Sequence, residues 1–336
     1  MKVAYFGNKT SAFSGAKTTI ETLAPLLNTF LQVSTTSSAR NMFRRMLEMI
    51  FTFFKNGLCS EWILIDVYST KAYIYAELIS RLSSIFNKKY IIILHGGNLP
   101  ERHKTNPKSI SRVFDHAYAI VAPSPYLKNY FEKCGYRVIL IPNPVELENY
   151  PFFQRKKIRP KMLGIRGFKS PYNSVMTLDA IRICRERGTE IELLLLGNRD
   201  EDDYQRISDF IIKHELEDLV KISQKIPKSE WIKLSVDYDI MVSNPLIDNS
   251  PVSIIEGLAL GMCIITTDVG GIPDFVSNNN QVLYVKSNDS EDLANKVLYL
   301  LENPENAQSL STNGRVRAEE FDWKNLEPLW KTLLNA

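Results

Sequence analysis

The 336-residue sequence has no apolar run long enough to cross a bilayer. Among its longest is YIIIL at 90–94, whereas a membrane-spanning helix needs about 20 residues. The chain begins with MKVAYFG, which resembles a strand and not a secretory leader. The sequence therefore predicts a cytoplasmic protein, and a hydrophobic content of 44% is ample for packed cores.

Cysteine and histidine are scarce, and neither shows the spacing of a metal site. The four histidines have no metal-ligand pattern, so no metal is expected. The cysteines form no CxxC pair, which is typical of reduced, mostly buried thiols in a cytoplasmic protein. They are Cys59, Cys134, Cys184 and Cys263.

The net charge of +3 is divided unevenly along the chain. Residues 1–150 carry 18 Lys+Arg and 10 Asp+Glu, which gives +8, and residues 151–336 carry 23 and 28, which gives −5. A basic half suits an anionic membrane surface or a phosphate-bearing acceptor. No aromatic-basic repeat or zinc spacing favours nucleic acid.

Both halves alternate short apolar strands with amphipathic helices, which predicts parallel sheets with helices on both faces. The break falls near 143–160, a segment rich in proline and charge, and the last segment, 323–334, is amphipathic. The predicted strands are 3–6, 62–65, 90–94, 119–121 and 138–141 in the first half, and 161–165, 192–196, 220–222, 240–242, 263–266 and 282–284 in the second.

Residues 7–15, GNKTSAFSG, form a glycine-bearing loop before a helix. The segment is similar to a nucleotide P-loop, but seven residues separate its glycines and Lys17 does not directly follow Gly15. Gly15 and Ala16 leave room for a ligand close to the backbone. A tight turn without a ligand fits these residues equally well.

The most informative stretch is NPLIDNSPVSIIEGLALGMCIITTDVGGIPDF, residues 244–275. Pro251 fits the first turn of a helix, with Ser250 before it as the N-cap. Apolar residues at helical spacing predict about three turns that end at Gly261. A helix start binds phosphate or an anionic transition state, and Glu256 on this helix can reach the same cleft.

Two carboxylates in this stretch, Asp248 and Glu256, stand eight positions apart. A carboxylate accepts two hydrogen bonds at once, which suits the vicinal hydroxyls of a ribose for Glu256 and sugar hydroxyls for Asp248. On these residues alone, a polar loop before an ordinary α/β helix is the simpler interpretation.

Taken whole, this stretch resembles the donor-binding module of glycosyltransferase family 4, retaining enzymes of the glycosyl transferases group 1. The resemblance covers nearly the whole chain and is sharp over 164–275. It implies an α/β protein with the GT-B fold, in which two Rossmann-like parallel-sheet domains face each other across a cleft and the C-terminal helix crosses back to the first. The implied domains are 1–145 for the acceptor, with the returning helix at about 322–336, and 160–320 for the nucleotide-sugar donor.

The resemblance also implies the site residues. His95, after the strand YIIIL, would lie near the transferred sugar, while Arg166 and Lys169 would hold the leaving diphosphate. A structural histidine and a solvated basic turn remain the alternatives. The implied donor-binding residues are Gly15, Ala16, Gly197, Ile226, Asp248, Val252, Ser253 and Glu256.

Two positions depart from the family pattern. Asp248 stands where the family usually has Glu, which shortens the reach to the sugar by one methylene. Pro251 stands where the family often has Gly. Because proline has no N–H, Val252 and Ser253 must supply the backbone donors.

Residues 40–58, RNMFRRMLEMIFTFFKNGL, form an unusually apolar helix with a basic fringe. It is interpreted either as a core helix beside the sheet or as a helix that lies on a membrane near a lipid-linked acceptor. Its length and Glu48 argue against a membrane span.

The sequence thus predicts a cytoplasmic glycosyltransferase, with peripheral contact to the membrane through residues 40–58 as one interpretation. It would move a hexose from a UDP- or GDP-linked donor to a glycan or lipid-linked acceptor in surface polysaccharide synthesis, with no metal or other cofactor and no nucleic acid. The alternatives are an epimerase or phosphorylase on the same fold, an inactive nucleotide- or glycan-binding relative, and an assembly role at the membrane.

Overall fold

The computed structural model describes residues 1–14, 17–168, 170–197 and 201–335. The chain divides into two compact units, the first formed by Met1–Pro144 with Trp323–Ala336 and the second by Val145–Asp322. Each unit is built on a six-stranded parallel sheet. The predicted α/β class with two parallel sheets is confirmed.

All the predicted strands are present, with bounds within two residues of the prediction. One further strand, Gln32–Thr36, was missed because its sequence, QVSTT, is polar and lies half-exposed at the edge of its sheet. The strands are β1 (Lys2–Phe6), β2 (Gln32–Thr36), β3 (Trp62–Val67), β4 (Tyr90–Leu94), β5 (Ala119–Ala122), β6 (Val138–Leu140), β7 (Lys161–Gly164), β8 (Glu192–Gly197), β9 (Val220–Gln224), β10 (Ile240–Ser243), β11 (Cys263–Thr267) and β12 (Val282–Val285).

Helices connect the strands in both units. None of them, within the described parts of the chain, is long and apolar enough to cross a membrane. The helices are α1 (Ser11–Ser14), α2 (Thr19–Leu27), α3 (Met42–Thr52), α4 (Tyr73–Ile85), α5 (Leu99–Thr105), α6 (Pro107–Phe114), α7 (Pro125–Lys133), α8 (Ser174–Glu186), α9 (Glu201–Lys213), α10 (Lys228–Leu234), α11 (Val252–Ala259), α12 (Ile272–Phe275), α13 (Ser290–Glu302), α14 (Pro304–Glu319) and α15 (Trp323–Leu334).

The strand orders place one switch point in each sheet. The order is β2-β1-β3-β4-β5-β6 in the first unit and β12-β11-β10-β7-β8-β9 in the second. In the first sheet, β2 lies on one side of β1 and β3 to β6 lie on the other. In the second sheet, β8 and β9 lie on one side of β7 and β10 to β12 lie on the other. Loops that leave the carboxyl ends of β1 and β3, or of β7 and β10, therefore diverge and open a crevice where α/β sheets bind ligands.

The last helix, α15, completes the core of the first unit. Trp323, Leu326 and Trp330 are buried against the face of the sheet that also carries Tyr5. The Trp62 indole N–H donates a hydrogen bond of 2.8 Å to the carbonyl of Leu334. The end of the chain is therefore part of the fold of its first unit.

The segment predicted as a break, 143–160, packs largely into the second unit. Val145 forms a parallel bridge with Asp322, so the chain enters and leaves this unit at adjacent residues. Arg155 is buried and donates hydrogen bonds to the carbonyls of Leu260 and Ser235 at 2.5 and 2.8 Å. A charged stretch that resembles a linker thus contains one of the largest buried side chains of the unit.

The cysteines are less buried than expected. All four are free, but only Cys184 and Cys263 are buried, while Cys59 and Cys134 are exposed. The expectation of mostly buried thiols was wrong for the last two, since both follow the ends of helical segments near the surface.

Candidate functional site

Arg166 connects the loops that leave β7 and β10. Its Nη2 donates to Oδ2 of Asp248, and its Nη1 lies 3.3 Å from Oγ of Ser253. The guanidinium carbon is 4.8 Å from the centroid of the Tyr172 ring, and Oδ1 of Asp248 accepts a 2.7 Å hydrogen bond from the N–H of Asn249. The structure therefore brings together three of the predicted site residues, Arg166, Asp248 and Ser253, at the switch point of the second sheet.

Helix α11 starts beside this ion pair. Its N-cap is Pro251 and not the predicted Ser250, because the backbone of Pro251 is extended (φ −68°, ψ 109°) and lies just outside the helix. The helix has eight residues, about two turns instead of three, and Gly261 follows in the left-handed conformation (φ +75°). The N–H groups of Val252 and Ser253 open the helix, where no earlier turn supplies carbonyls, so they can bind an anion.

Glu256, on the same helix, is buried and paired. The hydroxyl of Tyr150 donates a 2.9 Å hydrogen bond to Oε1 of Glu256, and Nζ of Lys228 forms an ion pair with the same oxygen. Burial, followed by the charge of Glu256, raises the pKa of Tyr150. The ribose role of Glu256 stays a prediction, since one of its two carboxylate oxygens already holds two partners.

Three cations interact with Asp248 and Glu256 or with one another. Burial lowers the pKa of Lys225, and the neighbouring Arg166 guanidinium lowers it further. Arg166, Lys225 and Lys228 thus provide three cations against the two carboxylates Asp248 and Glu256. Such an excess suits a diphosphate, which spreads negative charge over several oxygens.

Side chains that could bind a metal ion do not form a cluster in the described part of the chain. Within the described ranges, no cluster of three or more His, Cys, Asp or Glu side chains could hold a metal ion.

A glycine turn supports the loop that carries Asp248. The N–H of Gly271 donates a 3.0 Å hydrogen bond to the carbonyl of Asp248. Gly270 has φ +58°, and a Cβ placed on it would lie 1.9 Å from the same carbonyl oxygen. Only glycine fits there, so this turn fixes the position of the loop.

The side chains of Ile226 and Val252 and the glycine at 197 serve packing, and three further predicted site residues lie outside the described part of the chain. A Cβ on Gly197 would lie 2.6 Å from Cα of Gly167 and 3.0 Å from the Phe168 ring, so this glycine lets the β7–α8 loop pack on β8. Ile226 and Val252 are partly buried against one hydrophobic cluster of the second unit. Gly15, Ala16 and Lys169 lie outside the described residues.

In the first unit, His95 is held by a buried carboxylate. Its Nε2 lies 2.7 Å from Oδ1 of Asp66, which also accepts a 2.7 Å hydrogen bond from the hydroxyl of Tyr5. Tyr68 donates to Oδ2 of Asp66 at 3.1 Å, and Oγ1 of Thr19 lies 3.4 Å from Nδ1 of His95. Burial, followed by the charge of Asp66, raises the pKa of both Tyr5 and Tyr68. The imidazole is therefore fixed at the end of β4, close to the switch point of the first sheet.

Sequence analysis missed the partners of these residues. Asp66 carries a usable signal, because a carboxylate that directly continues an apolar strand of a parallel sheet is buried and must be paired. Tyr150 and Lys228 carry no such signal. They lie 106 and 28 positions from Glu256 in the sequence, and only the fold brings them to it.

The fold matches that of a known class of enzyme. The structure of the Anabaena protein HepE in complex with UDP and glucose aligns with a TM-score of 0.79 at 14% identity, with 100% of both chains covered. The two sheets, with α15 returned to the first unit, are those of the GT-B glycosyltransferases. The GT-B fold predicted from the sequence is confirmed.

The family follows from the sequence comparisons. Residues 153–317, which include Arg166, Asp248 and Glu256, match the family model described as glycosyl transferases group 1. The second unit therefore carries a glycosyl transferases group 1 domain.

Two curated relatives are glycosyltransferases. An uncharacterized glycosyltransferase of Methanocaldococcus jannaschii is 25% identical over 212 residues, which cover 61% of this chain and 56% of the relative. The amylovoran biosynthesis glycosyltransferase AmsK of Erwinia amylovora is 20% identical over 252 residues, which cover 71% of this chain and 61% of the relative. The chain thus matches a little over half the length of these relatives.

Proposed function

We propose that this chain is a retaining glycosyltransferase of family 4 that moves a hexose from a UDP- or GDP-linked donor to a glycan or lipid-linked acceptor. The observation that carries the proposal is the cationic cluster beside α11, in which Arg166 contacts Asp248 and Ser253, Lys228 pairs with Glu256, and Lys225 feels the charge of both cations. The group 1 match covers this cluster, HepE binds UDP and glucose, and AmsK serves amylovoran synthesis, which favours a role in surface polysaccharide synthesis.

The cluster suits a reaction in which a nucleotide diphosphate leaves. Arg166, the start of α11 and, by sequence, Lys169 would hold the diphosphate as the bond from the anomeric carbon to its phosphate oxygen breaks. The leaving diphosphate takes the proton of the acceptor hydroxyl, which attacks from the same face. The charge that develops lies on the phosphate oxygens, so no protein nucleophile is needed. His95, positioned by Asp66, is proposed as a contact to the transferred sugar.

The same cluster replaces a metal ion in this proposal. Guanidinium, ammonium and helix N–H groups would neutralise the diphosphate. We therefore expect EDTA to leave both nucleotide binding and transfer unchanged. A loss of transfer in EDTA that magnesium restores would contradict this part of the proposal.

A thermal shift against UDP, GDP and ADP tests donor binding. A ligand at one hundred times its dissociation constant adds about 2.7 kcal/mol of stability. We expect one nucleotide to stabilise the wild type and to lose most of this effect in Arg166→Met and Glu256→Ala. Glu217→Ala, which changes an exposed carboxylate of the same unit, is the control and should respond as the wild type does.

Two results would count against the proposal. If none of the three nucleotides stabilises the wild type, the donor site is wrongly assigned. If a nucleotide binds but no sugar is transferred to any of a broad panel of acceptors, an inactive binding relative is favoured instead.

A further inference from the structure

Helix α3 has two apolar sides, and only one of them is covered. Met49, together with Phe53 in the π-helical turn Phe53–Gly57 that follows, is buried in the core of the first unit. The helix is shorter than the single helix predicted at 40–58. It begins at Met42, because Asn41 caps its start, and it ends in this π-helical turn. Four other residues line the opposite side and are exposed, and we call them the α3 face. They are Phe43, Leu47, Phe51 and Phe54.

The α3 face is too apolar for an ordinary solvated helix surface. Phe43 and Phe51 are 63% and 66% exposed, and the spacing of the four residues keeps them along one side of the helix. Phe86, at the end of α4, is exposed as well and packs edge-on against Phe54 at 5.5 Å between ring centroids. The patch therefore extends over two elements, and exposed patches of this kind mark interaction sites.

Three exposed cations stand close to the α3 face in the chain. Arg40, Arg44 and Lys55 are exposed, and Nζ of Lys55 lies 5.8 Å from the centroid of the Phe51 ring. The one carboxylate among residues 40–58 is Glu48, which pairs with Arg44 at 3.3 Å and accepts a hydrogen bond from Ser37. Exposed phenylalanines with a fringe of cations match the surface of an anionic bilayer, which offers acyl chains below phosphate groups.

Polar groups lie at one margin of the α3 face. A cavity of about 510 Å³ shares Leu47 and Phe51 with the face and is also lined by Lys9, Ser37 and Glu48. An amphiphile that lies along the face would therefore meet an ammonium group, a hydroxyl and the Glu48 carboxylate beside its apolar part. This arrangement fits a lipid with a polar head better than a purely apolar partner.

We propose that the α3 face docks the protein on an anionic lipid bilayer, with its phenylalanines at the level of the acyl boundary and Arg40, Arg44 and Lys55 among the headgroup phosphates. A second copy of this chain fits less well, because symmetric pairing would place the same cations against each other. The docking does not depend on the proposed glycosyl transfer. It would, however, bring that transfer to lipid-linked acceptors.

Vesicle flotation of the full-length chain tests the docking. We expect binding to vesicles of phosphatidylcholine with roughly one third phosphatidylglycerol and much weaker binding to phosphatidylcholine alone. The variant Phe43→Ser/Phe51→Ser should weaken the binding by about tenfold or more, since two aromatic side chains no longer partition. Arg40→Glu/Lys55→Glu should remove the preference for anionic vesicles.

A matched control comes from the second unit, where Ile212 and Val316 are 63% and 57% exposed but lie outside the α3 face. Ile212→Ser/Val316→Ser should float with vesicles as the wild type does. The thermal shift with nucleotide, measured on Phe43→Ser/Phe51→Ser, shows separately whether this variant is folded and binds donor.

Three results would overturn the docking proposal. The wild type could fail to bind anionic vesicles, or Phe43→Ser/Phe51→Ser could bind them equally well. Alternatively, the wild type could form a concentration-dependent dimer that this variant loses, which would assign the α3 face to a second copy. A failure of nucleotide binding with intact flotation would overturn the proposed function and leave the docking in place.

Discussion

The buried carboxylate of Asp66 determines what His95 can do. It accepts hydrogen bonds from Tyr5 and Tyr68 and holds Nε2 of His95 at 2.7 Å. An imidazole fixed in this way presents its other nitrogen, Nδ1, in one direction. Asp66 is therefore a positioning residue, although His95 alone drew attention in the sequence.

Replacement of Asp66 by Asn tests this role. The amide offers one oxygen in place of two. At least one of the three side chains that donate to Asp66, which are Tyr5, Tyr68 and His95, therefore loses its acceptor. We expect a loss of about 2–4 kcal/mol in the free energy of unfolding, measured in urea. Asp115→Asn is the control, because Asp115 also accepts a hydrogen bond from a tyrosine, Tyr136, but is exposed. An equally small effect of both changes would show that Asp66 does not anchor Tyr5, Tyr68 and His95.

A second buried carboxylate, Asp239, makes stability depend on pH. Burial alone would raise the pKa of Asp239, but hydrogen bonds from Arg159 outweigh it and hold this pKa below its ordinary value. Arg155 adds an ion pair at 3.4 Å. Because the pKa is lower in the folded state, the stabilisation is present above the unfolded value of about 3.9 and is lost as the pH falls through the folded value.

Unfolding followed from pH 7 down to about pH 3 should reveal this dependence. We expect Asp239→Asn to lose about 3 kcal/mol at neutral pH, since it leaves buried Arg155 without its counter-ion, and to show a flatter decline in acid. Asp218→Asn removes an exposed pair with Arg185 and should follow the wild-type curve. A wild-type acid profile retained in Asp239→Asn would show that other groups cause the decline.

Among the elements, the turn before α12 matters most for the proposed donor site. It links the end of β11 to the Asp248 loop through the hydrogen bond from Gly271. The sequence analysis identified the helix that precedes this turn. It could not show that the turn touches Asp248, because this contact depends on how two loops from neighbouring strands pack.

The change Gly270→Ala should displace the Asp248 loop. The new Cβ would meet the Asp248 carbonyl, and we expect at least a tenfold loss in nucleotide affinity, measured by titration calorimetry. Gly188→Ala is the matched control. Gly188 also has a positive φ, +83°, but a Cβ there meets nothing within 4 Å. If Gly270→Ala lowers the nucleotide affinity no more than Gly188→Ala does, the contact between Gly270 and the Asp248 carbonyl does not position the loop.

For the whole molecule, the main structural fact is that the chain closes its first unit with its last helix. Helix α15 follows 178 residues of the second unit, Val145–Asp322, yet its indoles and leucines fill the core of the first. The first unit therefore cannot complete its core until the second has been synthesised.

Trp330→Ala should destabilise the first unit by about 3–5 kcal/mol, because it leaves a cavity where a fully buried indole stood. Leu329→Ala, on the exposed side of the same helix, is the control and should cost well under 1 kcal/mol. Tryptophan fluorescence and hydrogen exchange along β1 and β3 would report the change. Equal protection of these strands in both variants would show that α15 adds little to this core.

The sequence by itself determined the elements and the family. Eleven strands were predicted from local apolar patterns, and the stretch 244–275 indicated the family, because periodicity and loop chemistry depend only on residues close together in the chain. β2 was missed since an edge strand needs no apolar run.

Only the tertiary structure decided the partners. It paired Glu256 with Tyr150 and Lys228, His95 with Asp66, and Arg155 with distant carbonyls. It also showed that one side of α3 is covered and the other is not. These contacts join residues far apart in the chain. They follow from strand order and side-chain packing, which no local pattern encodes.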